Sequence, residues 1–234
     1  IIVSSVKNLY IELFITKNEN LENVNFEEEN TAEDKNFNKN TNTEYEVVLN
    51  EDNAVEFRKQ IDDWRLILVN SENQLPNDFS PDLVYIDKTR QIDSRVKEEL
   101  EQMLKDMKKA KIGDIWVQSA YRSVEYQEKI YNEKIEEYIS LGETREKAEI
   151  LTLKVINKPG TSDHNLGLAI DFNYVDYNFD KTPAYEWLTQ NAENYGFVLR
   201  YRKDKETITK IDYEPWHWRY VGVEHAKKMN ELDM

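Results

Sequence analysis

Two short segments, well separated in the sequence, constrain the fold of this chain more than any other feature. They are residues 162–171 and residues 214–217. Together they hold two of the three histidines of the chain, and both also contain carboxylates. Two imidazoles and one carboxylate form the ligand set of a catalytic zinc site, in which a fourth position stays open for water. The sequence therefore predicts a fold that brings both segments to one metal ion.

The residues around these segments have the patterns of two neighbouring strands. Apolar and small or polar residues alternate over residues 167–172, which is typical of a half-buried strand. The aromatic-rich stretch 216–221 predicts a second strand. Pro215 favours an edge position for that strand, because proline donates no ladder hydrogen bond. Antiparallel pairing of the two strands would bring the candidate ligands together.

The candidate chemistry follows from the residue types. His164, Asp171 and His217 are the candidate ligands, and Glu214 is placed to act as the general base that a zinc site needs. A histidine and an aspartate seven residues apart are common in proteins, and so is the Glu-x-x-His spacing. The combination of the two therefore carries the prediction of a zinc peptidase. The absence of cysteine excludes a thiol nucleophile, and no Gly-x-Ser-x-Gly elbow occurs. His225 lies in a predicted terminal helix, where we expect a structural or solvent-facing role.

With their neighbours, the two segments read Ser-x-His-x-x-Gly-Leu-Ala-x-Asp and Glu-Pro-Trp-His-Trp-Arg-Tyr-Val-Gly. In this form the chain resembles the VanY-type D-alanyl-D-alanine carboxypeptidases and their L,D-carboxypeptidase relatives. These are zinc peptidases that trim bacterial cell-wall stem peptides. The resemblance covers roughly residues 64–228 and includes two further stretches. They are Ser119-Ala120-Tyr121-Arg122-Ser123 followed by Gln127, and Leu66-Ile67-Leu68-Val69-Asn70 followed by Leu75-Pro76.

The resemblance implies a role for each of several residues. It implies that zinc is bound by His164, Asp171 and His217, and that Glu214 is the catalytic base and acid. It also implies that Arg122 grips the terminal carboxylate of the substrate, since a planar guanidinium recognises a carboxylate through paired hydrogen bonds. The remaining residues that it places in the same substrate pocket are Gln127, Ser162 and Ser119.

The activity implied by the resemblance is removal of the C-terminal D-alanine from peptidoglycan stem peptides, by cleavage of D-Ala-D-Ala in the pentapeptide. L,D-carboxypeptidase activity on tetrapeptide stems is an open alternative, because no residue distinguishes the two. A peptidoglycan endopeptidase and a non-catalytic wall-binding module are less favoured. A binding module has no need of Glu214, and this sequence shows no wall-binding repeat that would accompany an endopeptidase.

Two further carboxylates lie close to the candidate ligands in sequence. Asp163 precedes His164, at a position where the related enzymes usually carry a longer acidic residue, and Asp212 precedes Glu214 by two residues. A carboxylate beside a metal-binding imidazole often accepts its free N–H. Either residue could have this role or be an ordinary loop residue, and the sequence does not separate these alternatives.

Charge and composition indicate where such a protein acts. The formal net charge of −15 argues against nucleic acid and anionic membrane surfaces as partners. Residues 17–44 carry eight acidic and three basic side chains among many asparagines, which is typical of a flexible segment. We therefore expect an N-terminal stub and spacer over residues 1–45 and a zinc carboxypeptidase domain over residues 46–234. A strand at residues 10–15 is the alternative for the first part.

The resemblance to cell-wall peptidases, together with the predicted spacer, implies an extracytoplasmic protein of the bacterial cell envelope, secreted or held by an N-terminal anchor missing from this sequence. No run of 18 apolar residues that would span a membrane is present.

The predicted fold class is α+β. The resemblance implies a small antiparallel sheet that carries the zinc site and is flanked by helices, as in hedgehog and D-Ala-D-Ala peptidase folds. An apolar stripe after Asp93 predicts a helix that Gly113 ends. Capping and stop signals predict three more helices, at residues 123–141, 144–157 and 182–196.

Overall fold

In the computed structural model of the chain, residues 63–113 and 115–234 are described, and residues 65–234 form one compact unit. The strands are β1 (Leu83–Tyr85), β2 (Gln91–Asp93), β3 (Val117–Ser119), β4 (Ala169–Phe172), β5 (Phe197–Leu199) and β6 (His217–Tyr220). The α-helices are α1 (Lys97–Lys109), α2 (Val124–Ser140), α3 (Arg145–Thr152), α4 (Pro183–Asn191), α5 (Glu206–Thr209) and α6 (Val223–Glu231).

The predicted spacer, its boundary with the catalytic domain at residue 46 and the alternative strand at residues 10–15 all lie outside the described residues. Across the part of the chain that the structure describes, no helix combines the length and apolar character needed to cross a membrane.

A four-stranded antiparallel sheet forms the centre of the fold, with the strand order β3-β4-β6-β5. Its two middle strands are the two strands predicted from the sequence, and Asp171 on β4 lies directly opposite His217 on β6. The α+β class and the small antiparallel sheet are therefore confirmed. A separate hairpin of β1 and β2 was not predicted.

Two details of the strand prediction are wrong. The second strand is β6, which lies in the middle of the sheet rather than at an edge. Its ladder begins at His217, so Pro215 precedes the ladder and removes no hydrogen bond from it. The first strand, predicted to be half-buried, is fully buried as β4, and all four residues of β6 are buried as well. Both faces of these strands are thus covered by protein, and the polar side chains on them need partners.

The helices begin where predicted but two of them end early. Asp93 caps the 3-10 turn before α1 by accepting from the backbone N–H of Arg95, and α1 ends at Lys109 instead of continuing to Gly113. Lys111 already has a left-handed φ of +56°, which a helix cannot contain. Ser123 and Thr144 cap α2 and α3 with their side chains.

The third predicted helix stops at Thr152 instead of residue 157. After this point the backbone N–H groups of Lys154 and Val155 donate to carbonyls three residues back, so the chain tightens into turns. The fourth predicted helix is α4 followed by a 3-10 turn at Ala192–Tyr195, and it ends at Gly196 as expected.

Gly196 fixes the relation between β5 and β6. Its φ is +80°, in the left-handed region, and its carbonyl accepts from the backbone N–H of Val221 at 2.8 Å. A Cβ at this position would lie 2.8 Å from Cε2 of Tyr220 and 2.9 Å from the backbone of Gly222. No side chain fits here without displacing the end of β6.

We expect Gly196→Ala to lower the free energy of unfolding by about 2 to 4 kcal/mol, because a backbone clash adds to the strain of a left-handed φ. Gly142→Ala is the matched control, since Gly142 has a φ of +99° with no atom near the added Cβ. Its cost should be about 1 to 2 kcal/mol, from φ strain alone. Urea unfolding followed by tryptophan fluorescence measures both variants, and equal losses would show that the close approach at Gly196 does not matter.

Candidate metal centre

The three predicted metal ligands meet at one point of the central sheet. His164 lies in the 3-10 turn Asp163–Leu166 that leads into β4, Asp171 lies on β4, and His217 is the first residue of β6. One side-chain donor atom from each lies within 4.8 Å of the other two. All three side chains are buried, with at most 3% of each residue exposed.

Backbone geometry explains how the turn before β4 presents His164. Ser162 and Asn165 form a capping box around the turn, and the side chain of Asn165 also donates to the carbonyl of Arg122 at 2.8 Å. Gly167 ends the turn with a φ of +72°, and a Cβ there would lie 3.0 Å from the backbone nitrogen of Asp93. The Ser-x-x-Asn-x-Gly spacing thus encodes this turn.

The tautomer of His164 follows from its contacts. Its Nδ1 lies 2.6 Å from the carbonyl oxygen of Ala120, which only accepts, so Nδ1 carries the proton. Burial, together with the nearby charge of Arg122, lowers the pKa of His164 to about 4, so the ring is neutral at neutral pH. Nε2 therefore presents a lone pair, and it faces Asp171 at 3.2 Å.

His217 presents its other nitrogen to the same point. Its Nδ1 lies 3.1 Å from Oδ1 of Asp171 and 3.5 Å from Oε2 of Glu214. Its Nε2 is buried and has no hydrogen-bond partner among the residues that the structure describes.

These contacts give a direct test of whether the cluster fits a metal ion. A lone pair on His164 that faces a carboxylate oxygen at 3.2 Å is repulsive unless a cation lies between them. Burial tends to raise the pKa of Asp171, but its interactions with the ring of His164 and the guanidinium of Arg122 hold that pKa well below its usual value, so the carboxylate is ionised. Two imidazoles and one ionised carboxylate that converge in this way fit a divalent ion such as zinc.

Glu214 lies beside the three ligands as predicted. Its side chain is only 12% exposed, and Oε2 approaches Nδ1 of His217. Burial, with the negative charge of Asp171 next in importance, raises the pKa of Glu214 well above its usual value. A carboxylate with a raised pKa is a stronger base and, once protonated, holds a proton that it can return.

Arg122 and Ser119 lie at the edge of the same cluster. The register of β3 and β4 places Ser119 opposite Asp171. Nε of Arg122 donates to Oγ of Ser119 at 2.8 Å, and its Nη2 donates to Oδ2 of Asp171 at 2.5 Å. A cavity of about 430 Å³ opens next to them, and Tyr121, Tyr126 and others also line it. Arg122 thus both contacts a member of the metal cluster and lines the cavity, whereas His164, Asp171, His217 and Glu214 do not line it.

The two other predicted pocket residues are engaged in internal contacts. Ser162 is buried, and its Oγ accepts from the backbone N–H of His164 at 3.3 Å. Gln127 is buried, and its side-chain nitrogen donates to the carbonyl of Asn157, while its Oε1 has no partner among the described residues. Asn157 in turn donates to the hydroxyl of Tyr201, whose ring packs against that of His217.

Some contacts of the cluster were not predicted. The carbonyl of Ala120 has no sequence signal, because any residue supplies one. Arg219 and Arg200 both donate to the buried carboxylate of Asp163. Arg219 shares a strand face with His217 by simple alternation, which is a usable signal, whereas Arg200 has none. His225 lies on α6, outside the cluster.

Comparison with known proteins agrees with this geometry. The family model for VanY, D-alanyl-D-alanine carboxypeptidase, matches residues 89–223. A D-alanyl-D-alanine carboxypeptidase of Enterococcus faecalis (strain ATCC 700802 / V583) is 37% identical over 167 residues, which are 71% of this chain and 62% of that protein. The chain thus spans about three fifths of the length of this curated relative.

Solved structures are similar over the same region. A mutant of the vancomycin resistance D,D-pentapeptidase VanY, from a VanB-type resistance cassette and in complex with Zn(II), is 37% identical with a TM-score of 0.66. The match covers 72% of this chain and 94% of that one. The LD-carboxypeptidase LdcB is 33% identical with a TM-score of 0.63, over 73% of this chain and 82% of that one. The family match covers more than half of the sequence, and this chain belongs to the VanY family of D-alanyl-D-alanine carboxypeptidases.

Proposed function

We propose that this protein is a zinc-dependent carboxypeptidase that removes the C-terminal D-alanine from peptidoglycan stem peptides. One observation carries the proposal: one possible ligand atom from each of three buried side chains converges on one point, and Glu214 lies beside that point. The similar VanY structure that contains Zn(II) supports the choice of metal.

In the proposed enzyme the metal ligands are Nε2 of His164, a carboxylate oxygen of Asp171 and Nδ1 of His217. Bound zinc supplies a Lewis acid for the scissile carbonyl and lowers the pKa of a water molecule in the site. Three protein ligands leave room for that water, as in other catalytic zinc sites.

Glu214 is the proposed base and acid. Its raised pKa suits removal of a proton from the attacking water and return of that proton to the leaving amine. Glu214 contacts the ring of His217 and is mostly buried, so the proton stays within the site instead of passing to bulk solvent.

Arg122 is the proposed recognition group for the terminal carboxylate. Its guanidinium contacts Asp171, and Arg122 also lines the 430 Å³ cavity, so a substrate that enters from the cavity would reach it. Ser119 holds Nε of Arg122 and so fixes the plane of the guanidinium. In this proposal Ser119, Gln127 and Ser162 support the pocket walls, consistent with their burial or contacts with Arg122 and His164.

Two substrate classes are compatible with this site. The family and the Enterococcus faecalis relative favour D-Ala-D-Ala ends of pentapeptide stems. LdcB is an LD-carboxypeptidase that recognises peptidoglycan. The similarity to LdcB favours the L,D bond of tetrapeptide stems as the second candidate. The proposed partners are peptidoglycan stem peptides or their precursors, and the proposed location is outside the cytoplasm, at the bacterial cell envelope.

The substrate class can be decided by mass spectrometry of stem peptides incubated with zinc-loaded protein, with pentapeptide and tetrapeptide offered together. We expect loss of one alanine from the pentapeptide. Loss from the tetrapeptide alone would establish the L,D type. If neither peptide changes while zinc stays bound, the carboxypeptidase proposal is wrong, and cleavage of cross-linked peptides would then indicate an endopeptidase.

We expect Glu214→Gln to retain zinc but to lower kcat by at least about 100-fold, because the amide cannot take up a proton. His217→Ala should lose both zinc and turnover, since a ligand is removed. D-alanine release and zinc content per protein are the two measurements. Normal turnover by Glu214→Gln would exclude Glu214 as the base.

Arg122 can be tested with the substrate as well as the protein. The wild-type enzyme should cleave a peptide with a free terminal carboxylate far better than its C-terminal amide, because the guanidinium recognises the charge. Arg122→Ala should lose about 10- to 1000-fold in kcat/KM on the acid, since hydrogen bonds to charged groups contribute about 1.5 to 3 kcal/mol and paired bonds more. Activity on the amide should change much less.

The control for that experiment is zinc content, because Arg122 also contacts Asp171. Arg122→Lys keeps the charge without the planar fork, so it should recover only part of the discrimination. Equal losses on acid and amide in zinc-replete Arg122→Ala would mean that Arg122 does not read the carboxylate.

A further inference from the structure

A buried charge cluster lies directly behind the proposed metal site. The side chain of Asp163 is 1% exposed and accepts from two arginines. Nη1 of Arg219 donates to Oδ1 of Asp163, and Nε of Arg200 donates to Oδ2 at 3.0 Å. The proposed reaction uses none of these three residues.

The rest of Arg219 is also held in place. Its Nη2 donates to the backbone carbonyls of Arg65 and Ile67, and its Nε donates to the carbonyl of Tyr220. The carboxylate of Asp163 is therefore fixed by a guanidinium that cannot move freely. A carboxylate has about four acceptor positions, so two arginine contacts leave room for another donor.

That donor is available on the neighbouring imidazole. Nδ1 of His217 faces Asp171 and Glu214, so when Nδ1 gives its lone pair to a metal ion the ring proton must lie on Nε2. Nε2 is buried and has no hydrogen-bond partner among the described residues. Oδ2 of Asp163 lies 4.0 Å from it, about 1 Å beyond a normal hydrogen bond.

We propose that Asp163 is the positioning residue for His217, with Oδ2 as the acceptor for the Nε2 proton of the metal-binding tautomer. The inference rests on the proposed function and deepens it. A rotation of the His217 ring towards Oδ2 would close the 4.0 Å gap, and the hydrogen bonds from the two arginines hold the carboxylate in place. A carboxylate partner of this kind fixes ring orientation and raises the basicity of the ligating nitrogen.

Asp212, the other carboxylate considered from the sequence, has a different environment. It is half-buried, and its backbone N–H donates to the carbonyl of Lys154. No imidazole contact of its side chain is present within residues 63–113 and 115–234. The structure thus separates two residues that the sequence could not.

The competing explanation is that the cluster only stabilises the fold. Asp93 offers a matched control, because its side chain is equally buried and accepts from Arg95 at 2.8 and 2.7 Å. Asp93→Asn removes a buried carboxylate that is paired with an exposed arginine and has no contact with a candidate ligand. Asp163→Asn removes the charge at the proposed acceptor with little change of shape.

The decisive measurement is the zinc dissociation constant of the full chain, by competition with a chromophoric chelator. We expect Asp163→Asn to weaken zinc binding by about 10- to 100-fold, as loss of a carboxylate partner to a ligating histidine does elsewhere. Asp93→Asn should leave the zinc dissociation constant within about twofold of wild type. Unfolding of the metal-free variants, followed in parallel, shows how much stability each substitution removes.

A second readout needs no variant. The chain has three histidines, so a long-range ¹H–¹⁵N correlation spectrum of zinc-loaded wild type is readily assigned. We expect His217 to carry its proton on Nε2, with slow exchange because Asp163 accepts it. A proton on Nδ1, or fast exchange of the Nε2 proton with water, would overturn the proposal even if Asp163→Asn does not fold.

The outcomes separate this inference from the proposed function. Wild-type zinc affinity in Asp163→Asn, or equal weakening in Asp93→Asn, would overturn the role of Asp163 and leave the zinc site intact. Failure of the wild-type protein to bind zinc would overturn both.

Discussion

The pairing of β4 with β6 is the constraint on which the rest of the site depends. Asp171 lies opposite His217 in this ladder, and the turn before β4 then delivers His164 to the same point. Side chains alternate between the two faces of a strand, so a slip of one residue would turn His217 to the opposite face. Gly196 at the β5 edge and Gly167 before β4 restrict the two ends of this arrangement.

Much of this fold could be predicted because the signals are local. Alternation and aromatic content gave the two central strands, and Ser123, Thr144 and Thr182 marked helix starts that the structure confirms. The errors concern long-range context. Pro215 suggested an edge strand, yet the ladder of β6 begins after it. Half-burial was expected for the strand at residues 167–172, yet every residue of β4 is buried. Alternation describes one strand, whereas its position in the sheet depends on elements far away in sequence.

The candidate ligands of the site could be predicted from the sequence, but most of the contacts around them could not. Each candidate ligand and Glu214 lies at the candidate metal centre. They lie on two paired strands or just before them, so their spacing in the sequence limits where the side chains can meet. Of the groups around those ligands, Asp163 was one of two candidates from the sequence, whereas its arginine partners and the carbonyl beside His164 were not predicted. Any residue supplies a backbone carbonyl, so the sequence could not single out that of Ala120. Arg200, which contacts Asp163, directly follows β5, and the sequence does not specify the register of that strand. The second layer of contacts is therefore where the structure adds most.

The buried charges support the proposed division of roles, in which Glu214 exchanges protons and the other carboxylates of the site stay ionised. Asp171 has Arg122, and Asp163 has Arg200 and Arg219, as guanidinium partners. The pKa of Asp163 falls to about 2 and that of Asp171 falls well below normal, although burial acts against both. Glu214 contacts an imidazole instead of a guanidinium, so burial dominates and its pKa rises. When their environments drive the pKa values of neighbouring carboxylates apart in this way, one carboxylate is suited to stay charged and another is suited to carry a proton. In this site the distribution of three arginines, rather than the identity of the acids, makes that assignment.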